Sequence, residues 1–451
     1  MGNSGTKSGA DRRRIWGWFF YFWAQQPYFT LLLTFIFAPY IATLFPKGTE
    51  AQTIWGNVNT VAGLLVALCA PFLGAVADKA GGKLRFIGVF AVCYVVGASA
   101  LWFSEPGHFS IWFIALFFSL GLVANELAAM FANSMLPDLG PKAVLGRISG
   151  SAWGFGYIGG VVALIVMLTL FVEQPNGLTL LGHAPALGLD AARQEGTRFV
   201  GPFTAIWYVI FILPFFLWSR EPKVEGHASI GAALAGAWPE LRATLAGLPE
   251  RPALLRYLIS SMFYRDALNG MFVFGGVYAT GAIGLHTVDI GIFGIVAAIS
   301  GAIFAWLGGK VDSAHGPKPV IIACLIVLIA SGLALLSITK TRVFGIDLGP
   351  SGPKLAFIAV GAAIGAGAGT VQAASRTMMV HLAEPEKMTE SFGLYQLAGQ
   401  FTTFIAPFLV ARATEWTGSQ RIGITPIIAL FVLGLWLFLR VPNFRLAQAP
   451  A

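Results

Sequence analysis

Charge is what this sequence has least of. Asp, Glu, Lys and Arg make up 11% of its 451 residues, where a soluble domain carries roughly 25%. A chain this poor in charge cannot cover a water-facing surface, which excludes an ordinary soluble domain. Cysteine is scarce too. Cys69, Cys93 and Cys324 each lie inside an apolar run. Without Cys-x-x-Cys or Cys/His spacing, neither a disulfide nor a metal site is expected. No Walker A loop, Gly-x-Ser-x-Gly elbow or His-Glu-x-x-His pair occurs, and His183, His227, His315 and His381 lack ligand spacing. The expectation is therefore no enzyme, no cofactor, no metal and no direct use of ATP. The net charge of +8 is spread over short loops rather than gathered in a stripe, so no nucleic-acid partner is expected.

Apolar residues are abundant: 56% of the chain, with a mean hydropathy of +0.74. Stretches that can cross a bilayer, roughly 20 residues each, recur from end to end. The expected spans are 16–45, 54–77, 86–104, 109–133, 148–171, 203–219, 257–283, 289–309, 319–339, 355–380, 391–414 and 424–441. The fold expected is an all-α membrane protein with twelve transmembrane helices in two pseudo-symmetric six-helix halves. Residues 1–219 form the first half and 257–451 the second. Residues 220–256 link them and are expected to hold an amphipathic helix along the membrane surface. The outer segment 173–202 is expected to form a short interfacial helix or a cap.

The apolar run after Arg12-Arg13-Arg14 is too long for a signal-peptide core and is read as a retained first span. With an even number of spans, 19 Lys or Arg fall on the side of the N-terminus and 8 on the other. That asymmetry puts both termini in the cytoplasm. A bacterial cytoplasmic (inner) membrane is the expected location, and a monomer the expected state.

Two loops repeat one another. After span 2 the chain reads Gly74-x-x-x-Asp78-x-x-Gly81-Gly82-Lys83, and after span 8 Gly308-x-x-x-Asp312-x-x-x-Gly316-Pro317-Lys318. Six-helix repeats with a solute site near the midplane are a transporter plan. A charge at the bilayer centre costs roughly 2.5–3.5 kcal/mol on the lenient scale, so ionised residues there mark function. The candidates well inside the spans are Glu126, Arg265, Asp266 and Arg376. Helical spacing groups Arg265 with Asn269, Gln372 with Arg376, and Gln396 with Gln400. Gln25, Gln26 and Tyr28 add polar atoms in span 1, where Pro27 is expected to loosen the helix, and Asn57 and Asn59 add amides in span 2.

The repeated loop resembles the signature of the major facilitator superfamily. Further segments resemble the branch of autophagy-related vacuolar amino-acid effluxers and their bacterial relatives. They are Tyr21-Phe22-Trp23-Ala24, Asn133-Ser134-Met135-Leu136-Pro137-Asp138, Gly146-Arg147-Ile148-Ser149-Gly150, Trp153-Gly154-Phe155-Gly156-Tyr157, Phe263-Tyr264-Arg265-Asp266, Gln372-Ala373-Ala374-Ser375-Arg376, and Phe392-Gly393-Leu394-Tyr395 with Gly399-Gln400. The chain departs from that branch at Phe22, where relatives carry an aspartate, and at Gln400, where they often carry a lysine. One acid and one base are lost together. The resemblance implies that spans 1, 4, 7 and 10 line a central cavity, and three of these hold the buried charges.

The expectation is a secondary transporter of a small polar or zwitterionic solute working by alternating access, with the bilayer, the solute and a coupling ion, proton or sodium, as its partners. Gln25, Gln26, Tyr28, Asn125, Asn269, Gln372, Arg376, Gln396 and Gln400 are the expected solute-binding residues. Glu126, Arg265 and Asp266 are expected to handle the coupling proton. Asp78, Lys83, Arg85, Asp312 and Arg147 are expected to form a gate. Blander readings stand beside these. Arg376 can snorkel to headgroups, Arg265 and Asp266 can make structural ion pairs, and the amides can be interhelical glue. Two rival functions are a flippase or exporter of an amphipathic or lipid-linked solute, and a non-transporting membrane sensor on a transporter scaffold.

Overall fold

The computed structural model describes residues 4–45, 48–221, 228–279, 283, 285, 287–349 and 351–442. Lys223 and His227 lie outside these residues. In oil every backbone N–H and C=O must find a partner within the protein, and a helix pairs them within one segment. The apolar runs accordingly become helices: α1 Ser4–Pro27, α2 Gly48–Ala80, α3 Lys83–Ala100, α4 Ile111–Ser134, α5 Lys142–Leu170 and α6 Val200–Trp218. The second series is α7 Pro252–Tyr278, α8 Thr287–His315, α9 Pro317–Ser337, α10 Gly352–Leu382, α11 Met388–Phe401 continuing as Ile405–Thr417, and α12 Thr425–Leu439. Ten stretches among the described residues are long and apolar enough to cross a membrane, and α1 and α7 carry the more polar sequences. Several helices run past the expected ends, as α5 does at Lys142 and α8 at His315. Their polar end turns are helical, which hydropathy alone does not register.

Prolines shape the two helices that depart most from regular geometry. Pro27 has no N–H to donate to the Trp23 carbonyl and crowds it. The backbone after it winds as a π-helix over Tyr28–Phe35, a form associated with functional sites. The indole N–H of Trp207 on α6 donates to the freed Trp23 carbonyl at 3.1 Å. In α11 the expected continuous span 391–414 is broken at residues 402–404. Pro407 explains the break, because its ring clashes with the carbonyl four residues back.

By packing, the chain forms two compact units. The first takes the chain up to Val66, Gly81–Asn133 and the stretch from Phe155 to the linker. The second takes Ala67–Ala80, Ser134–Gly154 and everything from the linker onward. The C-terminal end of α2 and the α4–α5 corner thus pack as parts of the second unit.

Within the first unit the segment 173–202 folds as short turns, Ala186–Gly188, Ala191–Arg193 and Glu195–Arg198. Arg193 donates to Glu105 at 2.8 Å and holds that carboxyl below its usual range. Arg198 donates to the Trp102 carbonyl at 3.0 Å. Within the second unit the linker forms a helix, Ile230–Gly247, that starts on a Ser229 cap. It buries Ala233, Ala237, Leu241 and Thr244 and leaves Ile230, Leu234 and Trp238 exposed. A two-stranded hairpin, Arg342–Val343 with Ile346–Asp347, follows α9. It turns at Phe344-Gly345 with positive φ at both residues, the geometry two-residue hairpins favour.

The Pro27 arrangement is testable by thermal melting in detergent. Trp207→Phe leaves the Trp23 carbonyl without its donor and should cost about 1–3 kcal/mol. Adding Pro27→Ala restores a backbone N–H in reach of that carbonyl and should recover part of the loss.

Candidate functional site

The repeated loops build two tight helix crossings in the second unit. At the first, α2 meets the start of α11. A Cβ on Gly74 would sit 2.7 Å from the Thr389 carbonyl oxygen, and one on Gly393 would sit 2.5 Å from Pro71 Cα. Only glycine lets these backbones approach so closely. Asp78 then accepts two backbone hydrogen bonds, from Thr389 N at 3.1 Å and Glu390 N at 2.8 Å. Its anion caps free N–H groups at the positive end of α11. The linker helix ties into both partners. Lys79 pairs with Glu240 at 2.5 Å, and Lys387 donates to Thr244 at 3.2 Å.

The second crossing joins α8 to the start of α5. A Cβ on Gly309 would meet the Gly146 carbonyl oxygen at 2.5 Å. The Arg147 N–H donates to the Ser313 hydroxyl at 2.7 Å. Asp312 caps no helix here: it is buried and accepts from the Thr377 hydroxyl at 2.5 Å. Arg147 turns its side chain outward. In the first unit Lys83 is half-buried, and Arg85 is exposed with its stem against Gly82.

Above these crossings lies a polar cluster on α5, α7, α10 and α11. Arg265 donates to the Tyr395 carbonyl at 2.6 Å and to Gln396 Oε1 at 3.0 Å, with its guanidinium 4.2 Å from the Tyr395 ring. The Tyr395 ring stacks on Tyr257 at 6.0 Å. Tyr257 donates to the Ser375 carbonyl at 2.7 Å, and the Tyr264 hydroxyl shares a 2.9 Å bond with the Ser375 hydroxyl. Next to Ser375, Arg376 is 3% exposed and donates to the Ser149 carbonyl at 2.8 Å, over the Trp153 ring at 4.8 Å. Snorkelling to headgroups is thereby excluded for Arg376.

Arg265 and Asp266 do not pair with each other, because successive helical residues point about 100° apart. Asp266 is fully buried and accepts from Ala406 N at 2.9 Å, the N–H freed by the break in α11. Its other carboxyl oxygen has no hydrogen-bond partner.

The remaining expected residues divide. Asn269 is exposed while Arg265 turns into α11, so the two do not act as one face. Gln372 donates to Ala368 of its own helix at 3.2 Å. Gln400 is half-buried beside the break in α11. Tyr28 spends its hydroxyl on the Phe118 carbonyl at 2.7 Å, which makes it a packing pin rather than a free solute ligand. Gln26 is half-buried and would collide with a Cβ on Gly160. Gln25 and Asn125 are buried, and Glu126 is half-buried. Phe22 packs edge-on against Trp18 at 4.7 Å. Sequence reasoning missed Tyr257, Tyr264, Trp153 and Ser149 as polar partners. The i, i+7 spacing that puts Tyr257 and Tyr264 on one helical stripe was the signal for that pair.

A family described as "Vacuole effluxer Atg22 like" matches residues 141–448. The chain belongs to that family. This Atg22-like protein is 23% identical over 438 residues to an uncharacterized MFS-type transporter, YxiO, of Bacillus subtilis, with 94% of each chain covered. It is 23% identical to autophagy-related protein 22-1 of Neosartorya fischeri over 65% of this chain, and spans about half (48%) of that relative. It is 22% identical to multidrug resistance protein MdtG of Serratia proteamaculans over 92% of this chain and 91% of that protein. Among solved structures it resembles the proton:xylose symporter XylE with a TM-score of 0.71 at 11% identity, covering 97% of both chains. It resembles the Escherichia coli fucose:proton symporter FucP with a TM-score of 0.67 at 15% identity, covering 96% of this chain and 99% of that one. The Atg22-like chain is a multi-pass membrane protein with the twelve-helix major facilitator fold, and a transporter by family.

The Asp78 cap predicts an order of stabilities. Asp78→Ala removes two charge-assisted hydrogen bonds, about 1.5–3 kcal/mol each, while Asp78→Asn keeps an acceptor for one. Melting temperatures in detergent should fall from native to Asp78→Asn to Asp78→Ala.

Proposed function

We propose that this protein is a proton-coupled secondary transporter of a small polar or zwitterionic solute, an amino acid being the class that fits best, working by alternating access. The observation that carries the reading is Asp266. A carboxyl sealed in the membrane core with one oxygen engaged and the other without a partner is positioned to gain and lose a proton as its surroundings change. Arg265 and Arg376 supply the positive charge nearby, and a core holding both signs suits a zwitterion. Glu126 supplies the acid of the first unit. The Gly74/Asp78 and Gly309/Asp312 crossings act as the gate in this reading, and parting α2 from α11 and α5 from α8 opens that side. The protein works in a bacterial cytoplasmic membrane with both termini inside. Functionally, 1–219 and 257–451 are its two moving halves, joined by 220–256.

Uptake into proteoliposomes under an imposed pH gradient tests this. Asp266→Asn keeps an oxygen for Ala406 N, so the fold should survive, while gradient-driven accumulation should fall at least tenfold and solute exchange at equal pH should persist. Unchanged accumulation in Asp266→Asn would remove Asp266 from coupling. A solute-dependent rise in melting temperature without any flux would favour the sensor.

A further inference from the structure

No charged residue lies between Arg421 and Arg440, and the helix they bracket, α12, packs on only part of its surface. Ile427, Phe431, Gly434 and Phe438 are buried against the rest of the second unit. Thr425, Ile428, Ala429, Val432 and Trp436 recur at steps of three and four, so they form a second stripe of the same helix. Together with Leu333 of α9 they line a groove of about 550 Å³. Ala429, Val432, Trp436 and Leu333 are exposed, so the groove opens outward, where the bilayer lies. A Cβ on Gly332 would sit 2.9 Å from Ile428 Cγ1. That glycine lets α9 and α12 close together beneath the groove. The small side chain of Ala429, between Ile428 and Val432, leaves the trough open above them.

Shape and charge narrow the occupant. From Thr425 to Trp436 the groove follows α12 for about 16 Å. One leaflet of a bilayer holds about 15 Å of hydrocarbon, so the groove has the length of a single acyl chain in its leaflet. One end is basic. The exposed Arg440 guanidinium lies 3.4 Å over the Trp436 ring, the last aromatic of the groove. At the same end Lys318, from the start of α9, donates to the Leu439 and Val441 carbonyls at 3.2 and 2.5 Å. An ammonium has three N–H donors, so those two bonds leave one for another acceptor. Trp and Arg side by side belong at the level of the headgroups. A bare apolar trench would take the tail of any lipid. Two cations at its end favour a tail that carries a negative phosphate.

We infer that the groove between α9 and α12 is a binding site for one anionic phospholipid. One acyl chain lies along Ala429 and Val432, and the phosphate meets Arg440 and Lys318. The site belongs to the outer face of the second unit, and it stands whether or not Asp266 carries the coupling proton.

The full-length protein in dodecyl maltoside, melted with added phosphatidylglycerol or with phosphatidylcholine of the same acyl chains, tests the site. Phosphatidylglycerol should raise the melting temperature with a saturable dose response that phosphatidylcholine does not match. Native mass spectrometry should count one retained phosphatidylglycerol. Arg440→Gln removes one cation and should raise the lipid concentration for half-effect about fivefold. Ala429→Phe fills the groove and should abolish both the saturable response and the retained lipid. Both residues are exposed, so the variants should melt like the native protein before lipid is added. Equal responses to the two lipids, or a native response in either variant, would overturn the site. Glycerol phosphate reproducing the whole rise would reduce it to a contact with free phosphate and overturn the lipid.

Discussion

The protein depends on one constraint: a polar or ionised group in oil must be satisfied by the protein itself. Each irregularity of the bundle follows from it. Pro27 frees the Trp23 carbonyl, and the Trp207 indole comes to meet it. Pro407 breaks α11, and Asp266 caps the N–H that the break releases. Arg376 cannot reach water, so it takes a carbonyl of α5 and an aromatic face. The residues that look like defects in an apolar sequence are the ones that join helices.

The repeated Gly-x-x-x-Asp loops apply the constraint twice, with different chemistry. Both use glycine to bring backbones into contact, and both place an aspartate one turn further on. At α2 the aspartate caps α11, while at α8 it accepts from a threonine hydroxyl and a neighbouring serine receives the backbone N–H. Both crossings are assembled from small residues and short polar bonds.

Much of the site was legible as a set of residue types. Glu126, Arg265, Asp266 and Arg376 stand out because charge inside apolar runs is rare, and Asp78 stands out through the repeated loop. Their partners were not legible. Arg265 and Asn269 share a helical spacing but not an environment, and Arg265 and Asp266 are adjacent in sequence yet belong to different networks. Tyr28 reads as a ligand from composition and is spent on the Phe118 carbonyl. In each case the deciding atom is a main-chain carbonyl or N–H on another helix, which no side-chain pattern reveals.

The sequence by itself determined the membrane class, the number and order of the spans and the repeated loop. Hydropathy and charge scarcity are properties of single segments, so one segment suffices to read them. Only the tertiary structure decided where α11 breaks and which atoms hold Arg265, Asp266 and Arg376. Those outcomes depend on which helices approach within hydrogen-bond distance, and glycines far apart in the chain set that approach.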